Sequence, residues 1–191
     1  MLDYSQITPS KYIVLDGQPY EVLESKTFRK QQRKPVNQTK IKNLKTGKIT
    51  ERAFHQSEKA EEAEIKNRGV VYIFSKKEEL WFHSVGDKGD RFPVDEKTVG
   101  DRKKFLKEGM EIDALVFDEE IIDFKIPIKI ELKVKTAPPS VKGNTAQGGT
   151  KVVTVETGAL VSVPLFINEG DVIRINTETG QYTERVEKKQ S

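Results

Sequence analysis

The sequence predicts an all-β protein of 191 residues that folds as three small β-barrels. Short runs of strand-forming residues alternate with turn signals along most of the chain, and the first pair, 12–15 and 20–24, flanks an Asp16-Gly17 turn. Hydrophobic residues make up 35% of the chain and charged residues 33%, a balance that suits several small cores better than one large core. Small antiparallel barrels are the expected closure, because closing a sheet removes its exposed edges.

The strand and helix predictions follow the chain order. A second hairpin is expected across Thr46-Gly47. The stretch 101–109 has the one clear helix pattern, with Asp101 as N-cap and Gly109 as stop, and 57–64 is predicted as a helical turn. The remaining predicted strands are 39–44, 49–54, 70–74, 80–85, 111–117, 121–125, 151–155, 160–163, 171–176 and 181–186.

Prolines mark the expected transition between the last two barrels. Pro127 and then Pro138-Pro139 interrupt the succession of strands and place a boundary near residue 128. The chain then divides into three segments of similar length, each with several short strands and turn signals. The predicted domains are 1–64, 65–127 and 128–191.

The composition excludes several classes of functional site. The chain has no Cys, and His55 and His83 are too few for a histidine-built metal site. Carboxylates are scattered, and no Ser-His-acid set or Walker-type phosphate loop occurs, so we expect no enzyme activity, no cofactor and no metal ion. The first residues lack a signal-peptide pattern and no apolar run is long enough for a membrane span. We therefore expect a cytoplasmic protein that does not contact membranes.

Positive charge is concentrated in one short stretch. Residues 25–50 contain nine Lys or Arg residues and no acid, whereas the rest of the chain has 24 basic against 30 acidic residues. One basic lobe on an otherwise acidic body predicts a polyanion partner that contacts one end of the protein. Part of this stretch, 28–36, is predicted as an exposed loop between strands. A solvated lysine-rich face is the alternative, and the charge pattern leaves both readings open.

A pattern near the C-terminus carries a family resemblance. Nine residues at defined positions within 151–170 make up this pattern: Lys151, Val152, Val153, Gly158, Val161, Val163, Pro164, Ile167 and Gly170. Its glycines predict turns, and its branched aliphatic residues alternate into a core, so the pattern describes scaffold rather than chemistry. Every one of these positions matches the pattern of the bacterial elongation factor P family, which the sequence resembles over essentially its whole length.

The resemblance implies a more specific fold and function. Members of that family have an SH3-like (KOW) barrel followed by two OB-type barrels, arranged in an elongated L that imitates tRNA. They bind as monomers between the P and E sites of the ribosome. The first barrel reaches toward the CCA end of the peptidyl-tRNA, and the last approaches the small subunit. The implied activity is to stabilise peptidyl-tRNA and promote peptide-bond formation, especially at consecutive prolines.

The resemblance also implies a functional tip on the first barrel. Family members usually hold one Lys or Arg between glycines there, often lengthened by a modifying enzyme, whereas the matching stretch of this sequence has no glycine. Arg33 is favoured as the apex because Pro35 stiffens the descending arm, with Lys34 and Gln32 as alternatives. Either Arg33 or Lys34 is modified, or the doubled charge acts unmodified. The tip residues expected to contact tRNA and rRNA are Arg29, Lys30, Gln32, Arg33 and Lys34.

Two further sites are implied in the last segment. The glycine-rich stretch at Gly143, Asn144, Thr145 and Ala146 matches a family loop near the E-site mRNA codon, with Asn144 in place of the usual Asp. A plain interstrand turn is the alternative. Tyr182 and Arg185 match positions that face the P-site tRNA. Strand alternation puts these two on opposite faces, so a bulge or strand end is required if they act together, and a half-buried core role for Tyr182 is the alternative.

Other functions are weighed against this one. A general OB-type RNA-binding protein needs aromatic platforms beside basic grooves, but Tyr72, Phe74, Trp81 and Phe82 all lie in the middle segment, which is net acidic. The archaeal and eukaryotic counterpart of the family has two barrels, so the third segment argues against it. A divergent elongation factor P-like paralogue stays open because the tip is unusual.

Overall fold

The computed structural model describes residues 1–29, 34–139 and 149–188. The predicted all-β fold class is confirmed, because the described chain forms three antiparallel sheets with one short α-helix and one 3-10 segment. It packs as two compact units, Met1–Arg68 with Ala114–Phe124 and Gly69–Asp113 with Lys125–Ser191. Across the described ranges, no helix has the length and apolar character needed to cross a membrane.

The first sheet contains six strands: β1 (Leu2–Asp3), β2 (Tyr12–Leu15), β3 (Gln18–Phe28), β4 (Val36–Asn43), β5 (Ile49–His55) and β6 (Lys59–Glu62). Their order is β1-β6-β2-β3-β4-β5. The predicted hairpin at Asp16-Gly17 is present, since β2 and β3 pair antiparallel and both turn residues have positive φ. β4 and β5 form the second predicted hairpin. The core of this sheet consists of Leu2, Ile7, Ile13, Val22, Ile41, Phe54 and Ala60.

The helical turn predicted at 57–64 is wrong. This stretch contains β6, which pairs antiparallel with β1, where Leu2 faces Ala60, and with β2, where Ile13 faces Glu62. Ala60 is 2% exposed and belongs to the core. Pairing with two neighbouring strands therefore outweighs the weak helical preference of an Ala- and Glu-containing stretch.

The second sheet contains five strands: β7 (Lys66–Lys76), β8 (Glu79–Ser84), β9 (Asp87–Asp95), β10 (Glu111–Phe117) and β11 (Glu120–Lys125). Their order is β11-β10-β7-β8-β9. The predicted hairpin of 70–74 and 80–85 is confirmed by the pairing of β7 with β8. β9 was not predicted, because it begins with charged residues and Gly89, yet it pairs with β8 from Phe92 opposite Phe82 to Asp95 opposite Glu79.

The helix predicted at 101–109 is also wrong. The chain forms a short helix, α1 (Glu96–Val99), followed by a 3-10 segment at Gly100–Phe105. The cap is Asp95 rather than Asp101, since the Asp95 carboxylate accepts a backbone hydrogen bond at 2.9 Å from the N–H two residues later. The glycine that follows α1 has φ of 62°, a conformation that ends the α-helical turn.

The third sheet contains five strands: β12 (Lys129–Thr136), β13 (Thr150–Val155), β14 (Leu160–Pro164), β15 (Val172–Asn176) and β16 (Tyr182–Glu187). Their order is β14-β13-β12-β15-β16. The turns predicted at Gly158 and Gly170 are confirmed by positive φ angles of 86° and 92°. The predicted core residues Val161, Val163 and Ile167 are at most 1% exposed. β12 was not predicted, although its Ile-Glu-Leu-Lys-Val alternation matches its buried and exposed faces.

Within the first compact unit, the β10–β11 hairpin packs against the edge of the first sheet. The buried cluster consists of Leu44, Ala63, Leu115, Phe117 and Ile122. At its rim the Lys45 ammonium lies 2.5 Å from the Glu120 carboxylate. The hairpin is thus joined to the first sheet by an apolar cluster, while the exposed ion pair adds little stability.

Candidate functional site

The long hairpin of β3 and β4 carries the predicted tip. The two strands pair as far as Phe28 opposite Val36. Arg29 and Lys34 are exposed on the two sides of this end. The other predicted tip residues lie outside the described residues: Lys30, Gln32 and Arg33.

Some positive charges of the basic stretch are neutralised and others are not. Lys40 pairs with Glu24 at 3.3 Å, and the Lys26 ammonium lies 5.0 Å from the centre of the exposed Phe28 ring. Within residues 1–29, 34–139 and 149–188, the basic residues of this stretch without an ion pair to a carboxylate are Lys26, Arg29, Lys34, Lys42 and Lys48. Cationic groups are therefore available at both ends of β4 to attract a polyanion.

Buried polar groups fix the position of this hairpin. Asn37, the second residue of β4, is 1% exposed and donates hydrogen bonds to the carbonyl oxygens of Tyr4 at 2.7 Å and Ile7 at 2.8 Å. Thr39 donates to the Arg52 carbonyl of β5 at 2.8 Å. The N-terminal segment and β5 thus hold β4 immediately below the tip. The sequence did not lead us to predict a structural role for Asn37. Its place in the alternation with Thr39 and Ile41 nevertheless indicates an inward side chain.

The two candidate sites of the last segment differ in how much of them the structure describes. Gly143, Asn144, Thr145 and Ala146 lie outside the described residues, in the connection between β12 and β13. Tyr182 and Arg185 both lie on β16.

A bulge brings Tyr182 and Arg185 to the same face of β16. Tyr182 pairs with Ile175 and Arg185 pairs with Ile173, with a register shift between them. Both isoleucines are 0% exposed and point into the core. The shift thus supplies the irregularity that strict alternation requires if the two side chains are to lie together.

The two side chains have structural partners of their own. Tyr182 is partly buried against the core of the third sheet, and this burial raises the pKa of its hydroxyl. The Arg185 guanidinium lies 3.5 Å from the carboxylate of Asp171, which is 1% exposed, and 5.1 Å from the centre of the exposed Phe166 ring. Asp171 also accepts a hydrogen bond from the Asn168 backbone at 2.9 Å. Arg185 therefore compensates a buried charge while its side chain stays partly exposed.

We predict that Arg185→Ala lowers the free energy of unfolding by about 1–3 kcal/mol, because it removes the guanidinium that lies 3.5 Å from the buried Asp171 carboxylate. The expected loss is smaller than that for breaking a fully buried ion pair, because the Arg185 side chain is 30% exposed. Urea unfolding of the full chain measures the change. Arg174→Ala is the matched control, because its partners Glu131 and Glu184 are both about half exposed, and it should cost less than about 1 kcal/mol. Equal losses for the two variants contradict the assignment.

Comparison with known proteins places the whole arrangement in one family. The family model described as "Elongation factor P (EF-P) KOW-like domain" matches residues 3–60, and that of the "Elongation factor P (EF-P) OB domain" matches 66–124. A third, "Elongation factor P, C-terminal", matches 130–185. The chain belongs to the elongation factor P family. Membership makes the protein a translation factor of the ribosome-associated kind.

Relatives named Elongation factor P match nearly the whole chain. The protein of Persephonella marina is 38% identical over 182 residues, 95% of each chain. That of Carboxydothermus hydrogenoformans is 37% identical over 174 residues, 91% of this chain and 94% of its own. That of Thermodesulfovibrio yellowstonii is 34% identical over 186 residues, 97% of this chain and 99% of its own. The resemblance read from the sequence is thereby confirmed.

One solved structure supports the fold. The eukaryotic translation initiation factor 5A from Methanococcus jannaschii superposes with a TM-score of 0.51 at 12% identity, covering 65% of this chain and 89% of its own. At that identity the likeness shows the fold alone.

Within the described ranges, no group of three or more His, Cys, Asp or Glu residues is placed to hold a metal ion. His83 lies 2.8 Å through Nδ1 from the carbonyl oxygen of Ser84, a local structural contact within the sheet. What the described surface offers instead is exposed cationic groups near the tip and a partly buried Tyr–Arg pair on β16. Guanidinium and ammonium groups of this kind can bind phosphate, and a tyrosine ring can stack on a base.

Proposed function

We propose that the protein binds the ribosome between the P and E sites and stabilises peptidyl-tRNA, so that peptide bonds form faster at consecutive prolines. It acts in the cytoplasm, without enzymatic chemistry of its own. The observation that most supports the proposal is the β3–β4 hairpin, whose described end carries exposed Arg29 and Lys34 in a chain of this family. The proposed domains are 1–64, 65–127 and 128–191, one for each barrel.

The proposed mechanism is positioning. A poorly reactive peptidyl-tRNA loses time in unproductive orientations, and holding its reacting end in place lowers the entropic part of the barrier that the ribosome must overcome. A factor of this kind needs a rigid body and well-placed RNA contacts, and no nucleophile or general base. The hydrogen bonds of Asn37 and Thr39 to neighbouring segments supply rigidity directly below the tip.

The tip loop is proposed to contact the peptidyl-tRNA end and nearby rRNA through Arg29, Lys30, Gln32, Arg33 and Lys34. Arg33 is the favoured apex, and its guanidinium forms two parallel hydrogen bonds to one phosphate, which an ammonium group cannot do. Either Arg33 or Lys34 is the site for a modifying enzyme if the protein is modified. The absence of glycine from 29–36 favours a divergent family member as the second candidate function, acting at a different stall.

The last segment is proposed to contact the P-site tRNA and the E-site codon. Tyr182 and Arg185 lie on one face of β16, an arrangement that supports joint contact with tRNA. Arg185 has a structural partner in Asp171, so only its outward N–H groups are left for phosphate. Gly143, Asn144, Thr145 and Ala146 are proposed to approach the mRNA through backbone N–H groups.

Ribosome binding tests this proposal. We expect the protein to bind ribosomes that carry P-site tRNA with an empty E site, and to bind more weakly when the P site is empty. Because about four phosphate contacts are expected at the tip, affinity should fall about 100-fold between 50 and 200 mM salt. Co-sedimentation with labelled protein measures both effects. A flat salt profile, or binding that ignores the P-site tRNA, contradicts the proposed contacts.

A further inference from the structure

Phe105 belongs to the core of a sheet that its own segment does not form. It ends the 3-10 segment Gly100–Phe105, which lies between β9 and β10 of the second sheet, and it is 1% exposed. The residues that bury it are those of the third sheet, including Ile130, Val155 and Ile175. The Phe105 side chain thus packs in the core of the third sheet, although Phe105 itself belongs to the stretch 69–113. Both parts of the chain lie in the same compact unit. Burial of a ring of this size is a large stabilising term.

Polar contacts hold the chain on both sides of Phe105. The hydroxyl of Thr157 donates to the Lys104 carbonyl at 2.7 Å. The Lys107 ammonium lies 3.0 Å from the Glu156 carboxylate, which also accepts the Lys133 backbone N–H at 3.0 Å. Burial acts to raise the pKa of Glu156, but these two donors outweigh it and the pKa is lowered. The turn between β13 and β14 therefore contacts the chain on both sides of Phe105, at Lys104 and at Lys107.

Phe105 also lies beneath the turn that leads into β16. A Cβ atom built on Gly180 comes within 3.6 Å of the tip of the Phe105 ring, and Gly180 has φ of 71°. Tyr182, two residues later, packs against the same buried cluster. The ring from the middle segment is therefore in contact with the base of the strand that bears Tyr182 and Arg185.

We propose that Phe105 is a positioning residue, which fixes β16 and its Tyr182–Arg185 face relative to residues 69–113 of the same compact unit. The inference rests on the proposed function and deepens it, because a surface that is already ordered before it contacts RNA loses less conformational freedom on binding. Removing the ring leaves every predicted RNA-contacting side chain in place. Its effect on binding then comes from loss of a fixed orientation.

The test measures orientation without the ribosome. The chain has no Cys, so Lys88→Cys and Ser162→Cys introduce two unique, exposed sites for spin labels on the middle and last segments. Phe105→Ala is expected to broaden the distance distribution between the labels at least about twofold, whereas Phe105→Leu restores a narrow distribution because it refills most of the volume. Thr157→Val removes only the hydroxyl contact to the Lys104 carbonyl and should broaden it less. An unchanged distribution in Phe105→Ala overturns the proposal.

A second readout connects orientation to function. Ribosome affinity is expected to fall about tenfold for Phe105→Ala and to stay within about twofold of the parent protein for Phe105→Leu. The maximal effect on translation at saturating protein should be kept, since the tip is untouched. Broadened distances with unchanged ribosome affinity overturn the positioning role. If the parent protein itself does not bind ribosomes, the proposed function fails, while the distance measurement still decides whether Phe105 orients the last segment.

If Phe105→Ala does not fold, Thr157→Val and Phe105→Leu carry the test. Thr157→Val keeps the whole buried cluster, so circular dichroism and urea unfolding should match the parent closely. It is then expected to broaden the distances by less than about twofold and to weaken ribosome binding by about twofold to threefold, a change that a purely packing role of Phe105 does not produce. If Thr157→Val has the same distances and ribosome affinity as the parent protein, the hydrogen bond from Thr157 to Lys104 does not help to hold Phe105 in place.

Discussion

Replacing Arg33 and Lys34 together by alanine is expected to abolish the acceleration of polyproline synthesis while leaving the fold intact. Lys34 is exposed just before β4 and has no ion pair to lose among the described residues, and Arg33, which precedes it in sequence, lies outside them. Two cationic contacts at the reacting end of the peptidyl-tRNA account for the expected loss of at least about tenfold. The measurement is the rate of synthesis of a polyproline reporter in reconstituted translation.

The matched control is Lys42→Ala with Lys48→Ala. These residues belong to the same basic stretch, are also unpaired among the described residues, and lie at the opposite end of β4. Their removal changes net charge by the same amount, so it should weaken ribosome binding without abolishing acceleration. Undiminished synthesis with the Arg33 and Lys34 double variant contradicts the tip assignment. The intact mass of the natural protein shows whether it is modified, and a mass shift localised to residues 29–36 shows whether either residue carries the modification.

Asn37→Ala is expected to be the most destabilising single polar substitution in the first sheet, at about 2–4 kcal/mol. The side chain is 1% exposed and donates to two carbonyl oxygens, those of Tyr4 and Ile7. Alanine leaves both carbonyls without this donor, which is costly above all at Ile7, because that contact is buried away from water. A loss of this size is a large part of the stability of a small barrel. Urea unfolding, followed by tyrosine fluorescence, measures it.

Gln38→Ala is the control for Asn37→Ala. Gln38 is the next residue on β4, faces solvent and has a similar amide group. Its replacement should change the free energy of unfolding by less than about 0.5 kcal/mol. If both variants unfold at the same urea concentration, the hydrogen bonds of Asn37 do not stabilise the hairpin as described. A selective loss for Asn37→Ala also predicts reduced acceleration of translation, since the tip then lacks its support.

Much of the fold could be predicted from local sequence patterns. Strands with apolar alternation and a clear turn, such as β2 and β3 around Asp16-Gly17, follow from period-two patterning and turn chemistry. The errors arise where pairing partners far along the chain decide the structure. β6 resembles a helical turn by composition, but β1 and β2 supply hydrogen-bond partners on both sides. β9 is charged and contains glycine, and it is a strand because β8 lies beside it.

The candidate site shows a similar division. The basic hairpin could be predicted from charge density and loop chemistry, since both are local properties. The partner of Arg185 could not be predicted from the sequence, because Asp171 is not a sequence neighbour and its burial depends on the packing of the third sheet. The bulge that aligns Tyr182 with Arg185 was required by alternation, but its location at the pairing with β15 depends on register. Phe105 was predicted as part of a helix, and its insertion into a neighbouring core has no local signature.

The most direct test of the proposed function is the rate of peptide-bond formation on two matched messages. One encodes three consecutive prolines, and the other has alanine at the same codons. In a reconstituted system without other factors of this family, the protein is expected to accelerate the proline message at least about tenfold, equivalent to about 1.4 kcal/mol of the barrier. The alanine message should be unaffected. No acceleration of either message, or equal acceleration of both, contradicts the proposal that this protein relieves proline stalls by positioning peptidyl-tRNA.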